Sequence, residues 1–568
     1  MLKKTFKTFA VLVALIASST LPATASANIS ARTHLAVLAT AVSSSSALAT
    51  AVTSNTPTTL IAYQTQKLAW KTCNDNFQCS TLRVPIDYSN LKTGSFNIGV
   101  LRYKAANQKS RIGSLVINPG GPGASGVDYA LAAEYIFSPD ILDKYDVVGF
   151  DPRGVGKSAP IHCLSDKETD ASYSADSKPD NPAELKAYLA NAKSYVASCQ
   201  AHTPNMMHYS TMDAARDMDV LRAALGDSKL NYVGKSYGTY LGTLYAKLFP
   251  GSVGRVVLDG AINPNASSRD QNLVQAVGFD HALNAFIADC LARRDCPLSS
   301  TSGIQTLSTS YNNQSKPAVI QSVVALHSAV TPAQITAGAA QFIALFKSTS
   351  LRPLTSRSRR AVTESLVVLG TASALYDNTS GWPQLRTALR EAKSGNGTTF
   401  LALADQYSQR NPNGTYANNE ADAALVIDCL DWHDTRTLVQ VQSDAKMFAT
   451  QAPVFGPYLA YNALSCQYFP SAGSTPSGSF TAPKAPTPST NIATINTTPI
   501  IIVGTTRDPA TPYQWAVALH KIIQNSRLIS LSADGHTGQG RGSDCVDSAV
   551  DKYLLTGVIP AKDLACSL

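Results

Sequence analysis

Ser236 stands in Gly234-Lys235-Ser236-Tyr237-Gly238, a spacing that presents a serine hydroxyl at a sharp turn, where it can attack a carbonyl carbon. A hydroxyl is a weak nucleophile at neutral pH, so such a serine needs a base, and the base needs an orienting acid. It also needs two N–H donors facing the oxygen that becomes charged. His536 is the expected base, because Gly535 and Gly538 in Ala533-Asp534-Gly535-His536-Thr537-Gly538 suit a tight loop that projects an imidazole. His433 and His520 fall in helix-rich stretches where structural roles fit better. Two aspartates compete for the acid, Asp259 and Asp508. Asp508 is favoured, since it precedes the histidine strand directly and Thr511-Pro512 after it opens a helix. Asp534 is too close to His536 in sequence to orient its ring. The amide of Tyr237 is one expected oxyanion donor, and that of Gly121 in Asn118-Pro119-Gly120-Gly121-Pro122-Gly123 is the other. This loop lacks the lysine-serine ending of a phosphate-binding loop, so no nucleotide is expected there.

These residues need a scaffold, and the flanks supply one. Residues 230–233 read as a short apolar strand and 239–249 as an apolar helix, the strand-turn-helix context an exposed serine requires. Further strands are expected at 96–103, 114–118, 146–150, 255–258, 499–503 and 527–531, with helices at 214–225, 512–523 and 545–555. Short apolar strands alternating with helices predict an α/β fold with a mostly parallel central sheet covered on both faces. Each chemical residue then follows a strand.

The intervening stretch, 265–470, is rich in Ala, Gln and Ser, with helical runs at 333–346 and 358–375, and reads as a large inserted helical lid. The Pro/Ser/Thr-rich segment 471–498 reads as a linker back to the sheet. The expected organisation is a signal segment (1–27), a low-complexity leader, pro-segment or wall-spanning spacer (28–66), a first core part (67–264), the lid, the linker, and a second core part (499–568).

The amino terminus carries Lys3, Lys4 and Lys7, then an apolar run to Ala17, then Ala25-Ser26-Ala27, the pattern of an export signal too short to span a bilayer. The chain is therefore expected outside the cell or at its wall. Ten cysteines agree with that compartment, and none shows the C-x-x-C spacing of a zinc or redox site. Sequence alone leaves their connectivity open. Neighbour pairing is preferred because short loops close readily: Cys73–Cys79, Cys163–Cys199, Cys290–Cys296, Cys429–Cys466 and Cys545–Cys566. The formal charge of +8 is scattered and three of its lysines lie in the signal, so nucleic acid is not an expected partner. No metal, no cofactor and a monomer are expected.

The glycine loop at 120–123, Asp151-Pro152-Arg153-Gly154-Val155-Gly156-Lys157-Ser158, the serine turn, and the Asp508 and His536 loops resemble the proline iminopeptidase-related α/β-hydrolases. The chain is most similar to their secreted tripeptidyl aminopeptidase branch, which Val84-Pro85-Ile86-Asp87-Tyr88, Asp428-Cys429 and Cys466 also resemble. The likeness runs from about Trp70 to the end. It departs at Asn118, where many relatives carry histidine. The resemblance implies an α/β-hydrolase fold and an exopeptidase acting on peptides with a free amino terminus. Such selectivity calls for acids that meet the substrate ammonium, and the lid offers Glu420, Asp422, Asp431 and Asp434 without deciding among them. A secreted esterase or lipase using the same triad is the alternative, since fold does not fix substrate. A non-catalytic wall-associated binding protein is a third reading, opposed by the complete serine, histidine and aspartate set.

Overall fold

The computed structural model describes residues 57–74, 76–298, 330–470, 492 and 494–568. The expected signal segment and most of the expected leader and linker lie outside these residues. Ten strands form one sheet: β1 Lys71–Asn74, β2 Phe77–Pro85, β3 Ser95–Tyr103, β4 Gly113–Asn118, β5 Tyr145–Phe150, β6 Leu230–Lys235, β7 Val253–Asp259, β8 Ile500–Arg507, β9 Arg527–Asp534 and β10 Leu564–Ser567. Their order is β1-β2-β3-β5-β4-β6-β7-β8-β9-β10. The pairs β1–β2, β2–β3 and β3–β5 are antiparallel, and every later neighbour is parallel.

Strand composition explains the two-sided burial. In β6 to β8 successive residues point to opposite faces, so Tyr232, Val256 and Ile500 enter one core while Val233, Val257 and Ile501 enter the other. Helices Thr211–Ala224 and Tyr237–Leu248 pack on the first face, and Asp544–Thr556 covers the second. The register then sets the site. Asn118 lies opposite Gly234, Lys235 opposite Asp259, and Asp259 opposite Val503. The loops leaving β4, β6, β7 and β8 therefore start at one level along the sheet's carboxyl edge, where ligands bind in open α/β sheets.

The inserted helices have a core of their own, built on Phe286, Phe342, Phe346, Leu366 and Phe400. Their bounds differ from the sequence reading in one informative place. The helix expected at 358–375 begins at Glu364, because residues before it pair as an isolated bridge, Leu354 with Val362. Two helices ahead of the elbow strand, Asp166–Ser174 and Pro182–His202, also join the cap: Ser365 Oγ donates to the carbonyl of Ala175 over 2.6 Å. The cover over the sheet edge is thus drawn from both sides of β6. Part of the expected leader is folded as well. Helix Leu60–Gln64 buries Tyr63, whose hydroxyl meets Ser95 Oγ at 2.7 Å. Five disulfides join the neighbour pairs named above. Among the described residues no helix is long and apolar enough to cross a membrane.

Candidate active site

Ser236 occupies the turn between β6 and helix Tyr237–Leu248 with φ 54° and ψ −125°, a backbone state that costs strain for any residue but glycine. Two glycines make the turn possible. A Cβ on Gly238 would lie 2.8 Å from Asn118 Oδ1, and one on Gly120 would lie 2.8 Å from the Cβ of Ser236. The turn is held by its own amide, which donates to the carbonyl of Asp259 over 2.9 Å. Asn118 fixes the glycine loop, its Oδ1 accepting from the amide of Gly120 over 3.0 Å. Among the described residues the Gly121 and Tyr237 amides donate to no backbone carbonyl, as two donors reserved for a charged oxygen would.

His536 follows β9 and Asp508 follows β8, and the two side chains meet. His536 Nδ1 lies 2.9 and 3.0 Å from the two carboxylate oxygens of Asp508. Asp508 is fully buried and held in place by the amides of Ala510, Thr511 and Thr537 and by the Thr511 hydroxyl, at 2.8–3.0 Å. The His536 amide donates to the carbonyl of Tyr376, whose ring stands edge-on to the imidazole at 5.2 Å. Asp259, the competing acid, is turned elsewhere. Its carboxylate accepts from the amides of Gly538 and Gln539 at 2.7 and 2.9 Å and lies 3.5 Å from the buried Lys235 Nζ. It therefore anchors the histidine loop without reaching the imidazole. Gly260 packs under the histidine: a Cβ there would lie 3.4 Å from His536 Cε1. Among the described residues no hydrogen bond joins Ser236 Oγ to His536, a link that in substrate-free sites often tightens only on binding.

Ser236 opens into a cavity of about 620 Å³ between the sheet edge and the cap. Helix Glu420–Asp431 forms one wall, with Glu420 and Asp428 lining it and Asp431 at the helix's end. Glu420 sits against the glycine loop, where a Cβ on Gly121 would lie 3.3 Å from its Oε1. Burial pushes its carboxyl up to about 7, opposed by the side chain of Asn418. Burial, and then the neighbouring Asp431, push Asp428 up to about 8. Burial likewise raises Asp431 to about 7, against two hydrogen bonds from Thr211. Thr211 also meets the hydroxyl of Tyr237, so the residue after the nucleophile is tied to this acid. Asp428 lines the cavity and its carboxyl makes no hydrogen bond among the described residues.

Of the four acids raised by the sequence, the structure brings Glu420 to the cavity wall, ties Asp431 to Thr211 beside the Tyr237 hydroxyl, and turns the other two away. Asp422 accepts from the Cys163 amide at 2.7 Å and the Tyr195 hydroxyl at 2.7 Å. Asp434 is bound by Arg436 through the guanidinium and the amide. Asp428 was missed as a cavity acid. Its spacing was the available signal, because positions 420, 428 and 431 fall within about 80° of one another on a helix with 3.6 residues per turn. The Asp151 to Ser158 motif serves the frame: Arg153, wholly buried, spans Asp217 and the carbonyls of Pro85, Ile86 and His208. Among the described residues no group of three His, Cys, Asp or Glu is placed to hold a metal ion.

The family model for the α/β-hydrolase fold matches residues 113–542, a span holding the serine, the aspartate, the histidine and the glycine loop. The chain belongs to the α/β-hydrolase family. Serine protease Hip1 of Mycobacterium tuberculosis is 34% identical over 86% of this hydrolase and 87% of its own length. Tripeptidyl aminopeptidase of Streptomyces lividans is 32% identical over 86% and 83%, and Carboxylesterase B of M. tuberculosis is 33% identical over 88% and 90%. These relatives set the hydrolase in the tripeptidyl aminopeptidase-like branch, as a serine hydrolase.

Proposed function

We propose that this hydrolase is a secreted serine exopeptidase that releases short peptides, tripeptides foremost, from free amino termini. Ser236 Oγ attacks the scissile carbonyl carbon while His536 Nε2 takes its proton, with Asp508 holding the ring by Nδ1. The Tyr237 and Gly121 amides stabilise the charged oxygen. His536 returns the proton to the leaving amine, and water then cleaves the acyl-enzyme by the same steps in reverse.

The observation that carries the substrate class is the pair of carboxyls lining the serine's cavity, Glu420 and Asp428, with Asp428 making no hydrogen bond among the described residues. Buried acids without counter-ions are costly, and a substrate ammonium relieves that cost. The helix also supports the length. Glu420 abuts the glycine loop, while Asp428 lies eight residues on, about 12 Å along the axis at 1.5 Å per residue. An extended tripeptide spans about 10 Å, so its amine reaches toward Asp428 when its third carbonyl sits at Ser236.

The Carboxylesterase B relative keeps esterase action as the second reading. An uncharged acyl chain, however, leaves the acids unpaired. The deciding experiment is a panel of aminoacyl, dipeptidyl and tripeptidyl anilides, free and N-acetylated, beside short- and long-chain esters. Free-amine tripeptidyl anilides are expected to lead, with acetylated forms slower by roughly thirtyfold or more, the loss expected for a desolvated charge pair. Equal rates on free and blocked peptides, or a clear preference for esters, would hand the site to the esterase reading.

A further inference from the structure

A second cavity, of about 350 Å³, backs onto the serine's cavity. The two share a wall made of Tyr173, Ser408 and Ala421. The second cavity is also lined by exposed charged side chains of both signs, Asp128, Asp166 and Lys157, together with the exposed His162. It thus runs from solvent to the back of the site, separated by one tyrosine and two small residues.

One side of the dividing wall is held by hydrogen bonds and the other by ring packing alone. Asn419 donates to the carbonyls of Gly154 and Ile161 at 2.8 and 2.9 Å and accepts from the Gly156 amide at 3.0 Å. Asp422 is fixed by Cys163 and Tyr195, as described above. Tyr173, on helix Asp166–Ser174, stacks on Tyr416 with ring centres 6.0 Å apart, and its hydroxyl makes no hydrogen bond among the described residues. Tyr416 is itself anchored to Asp170, which Arg410 grips through both oxygens. The only large group in the wall is therefore the one with no polar tether.

We propose that the second cavity is the exit path of the short peptide, with Tyr173 as its gate. The inference rests on the exopeptidase reading. In such an enzyme the longer product leaves by the mouth it entered, while the acyl segment stays enclosed between Ser236 and the helix acids. After hydrolysis that segment is a zwitterion, with an ammonium at one end and a new carboxylate at the other. A passage rimmed by Asp128 and Asp166 together with Lys157 and His162 offers both ends a partner. Release through it frees the site whatever occupies the mouth, and product release commonly limits turnover in enclosed sites.

The test uses a tripeptidyl anilide and two plugs, Ser408→Trp in the shared wall and Thr169→Trp in the second cavity alone. Each plug should leave the first-turnover burst of arylamine at wild-type rate and full amplitude, and lower the following linear rate by roughly fivefold or more. Adding Tyr173→Ala to Ser408→Trp reopens the throat and should bring the linear rate back to within about threefold of wild type. The inhibition constant of the added free tripeptide should not move, because a narrowed passage slows entry and exit alike. A linear rate unchanged by both plugs overturns the exit path, as does a burst slowed in proportion to turnover. Failure of the wild-type enzyme to cleave any free-amine anilide removes the exopeptidase reading and the exit path with it.

Discussion

If the helix acids hold the substrate amine, selectivity for a free amino terminus must depend on pH through their ionisation. Burial keeps Asp428 up at about 8 and both Glu420 and Asp431 at about 7, so all three are largely neutral at pH 6. A neutral carboxyl gives an ammonium little, and the charged form that grips it appears as pH rises. A carboxyl titrating near 8 is ionised to about 1% at pH 6 and about half at pH 8, whereas a peptide amine titrating near 8 falls from fully to about half charged. The product of the two fractions rises on the order of twentyfold between pH 6 and pH 8. Proton transfer in the triad also depends on pH, so the raw kcat/KM profile mixes two effects. The ratio of kcat/KM for a free tripeptidyl anilide to that for its N-acetyl form cancels what the triad contributes. That ratio should climb about twentyfold from pH 6 to pH 8 and level off or fall above, where the amine loses its proton. In Asp428→Asn most of the climb should vanish, with the acetylated substrate unaffected. A flat ratio in wild type, or an unchanged slope in Asp428→Asn, refutes the assignment.

Four further outcomes follow from the same geometry. Ser236→Ala should lose activity by several orders of magnitude, together with covalent labelling by a fluorophosphonate; turnover above about a tenth of wild type would exclude Ser236 as nucleophile. Asp508→Asn should lower kcat by about a thousandfold or more in a folded protein, because the His536 ring loses its charged acceptor and the tautomer it sets. Asp259→Asn should act first on stability, costing about 3–5 kcal/mol in denaturant unfolding, since it strips the buried Lys235 of its counter-ion; the reverse pattern would exchange the two roles. Finally, Asp428 binds a proton more tightly folded than unfolded, so the stability it contributes is full below about pH 4 and is lost as pH rises through about 8. Asp428→Asn should therefore be more stable than wild type at pH 9, by about 1–3 kcal/mol once solvent reaching the cavity is allowed for, and gain nothing at pH 4. Equal stability at both pH values would place that carboxyl in water.

The parallel core of the sheet was legible because strands buried on both faces are runs of apolar residues: Leu115-Val116-Ile117, Val256-Val257-Leu258 and Ile500-Ile501-Ile502-Val503 stand out without any context. The serine and histidine turns were legible for a related reason. Strained or glycine-dependent turns carry their requirements in their spelling. β1 and β10 were not singled out because they are short, exposed edge strands, and β2 because its first half is only partly buried and carries polar residues, so their patterns are weak against the noise of loops. The acids were harder still. A carboxyl in sequence is by default a surface residue, and only packing separates Asp422 and Asp434, which are absorbed by amides, a tyrosine and an arginine, from Asp428, which is absorbed by nothing. Asp508 and Asp259 had the same ambiguity, each following a parallel strand. The choice between them depended on which loop folds back over the other, a relation that becomes visible only once Gly538 and Gln539 are seen seated on Asp259.

The placement of Glu420 bears on how selectivity and rate are joined. Its Oε1 lies beside Gly121, whose amide is a proposed donor to the charged oxygen of the tetrahedral intermediate. An ionised carboxyl so close raises the energy of that oxygen, since like charges in a cavity of low polarity repel strongly. A proton on Glu420 removes the penalty, and burial favours that proton. The ammonium proposed to meet Asp428 would sit about 12 Å further along the helix, too far to neutralise Glu420. Glu420 should therefore act on rate for free and acetylated peptides alike, whereas loss of the ammonium should fall on binding. The raised acids thus divide the two tasks, and the inserted cap is what brings both to the sheet edge.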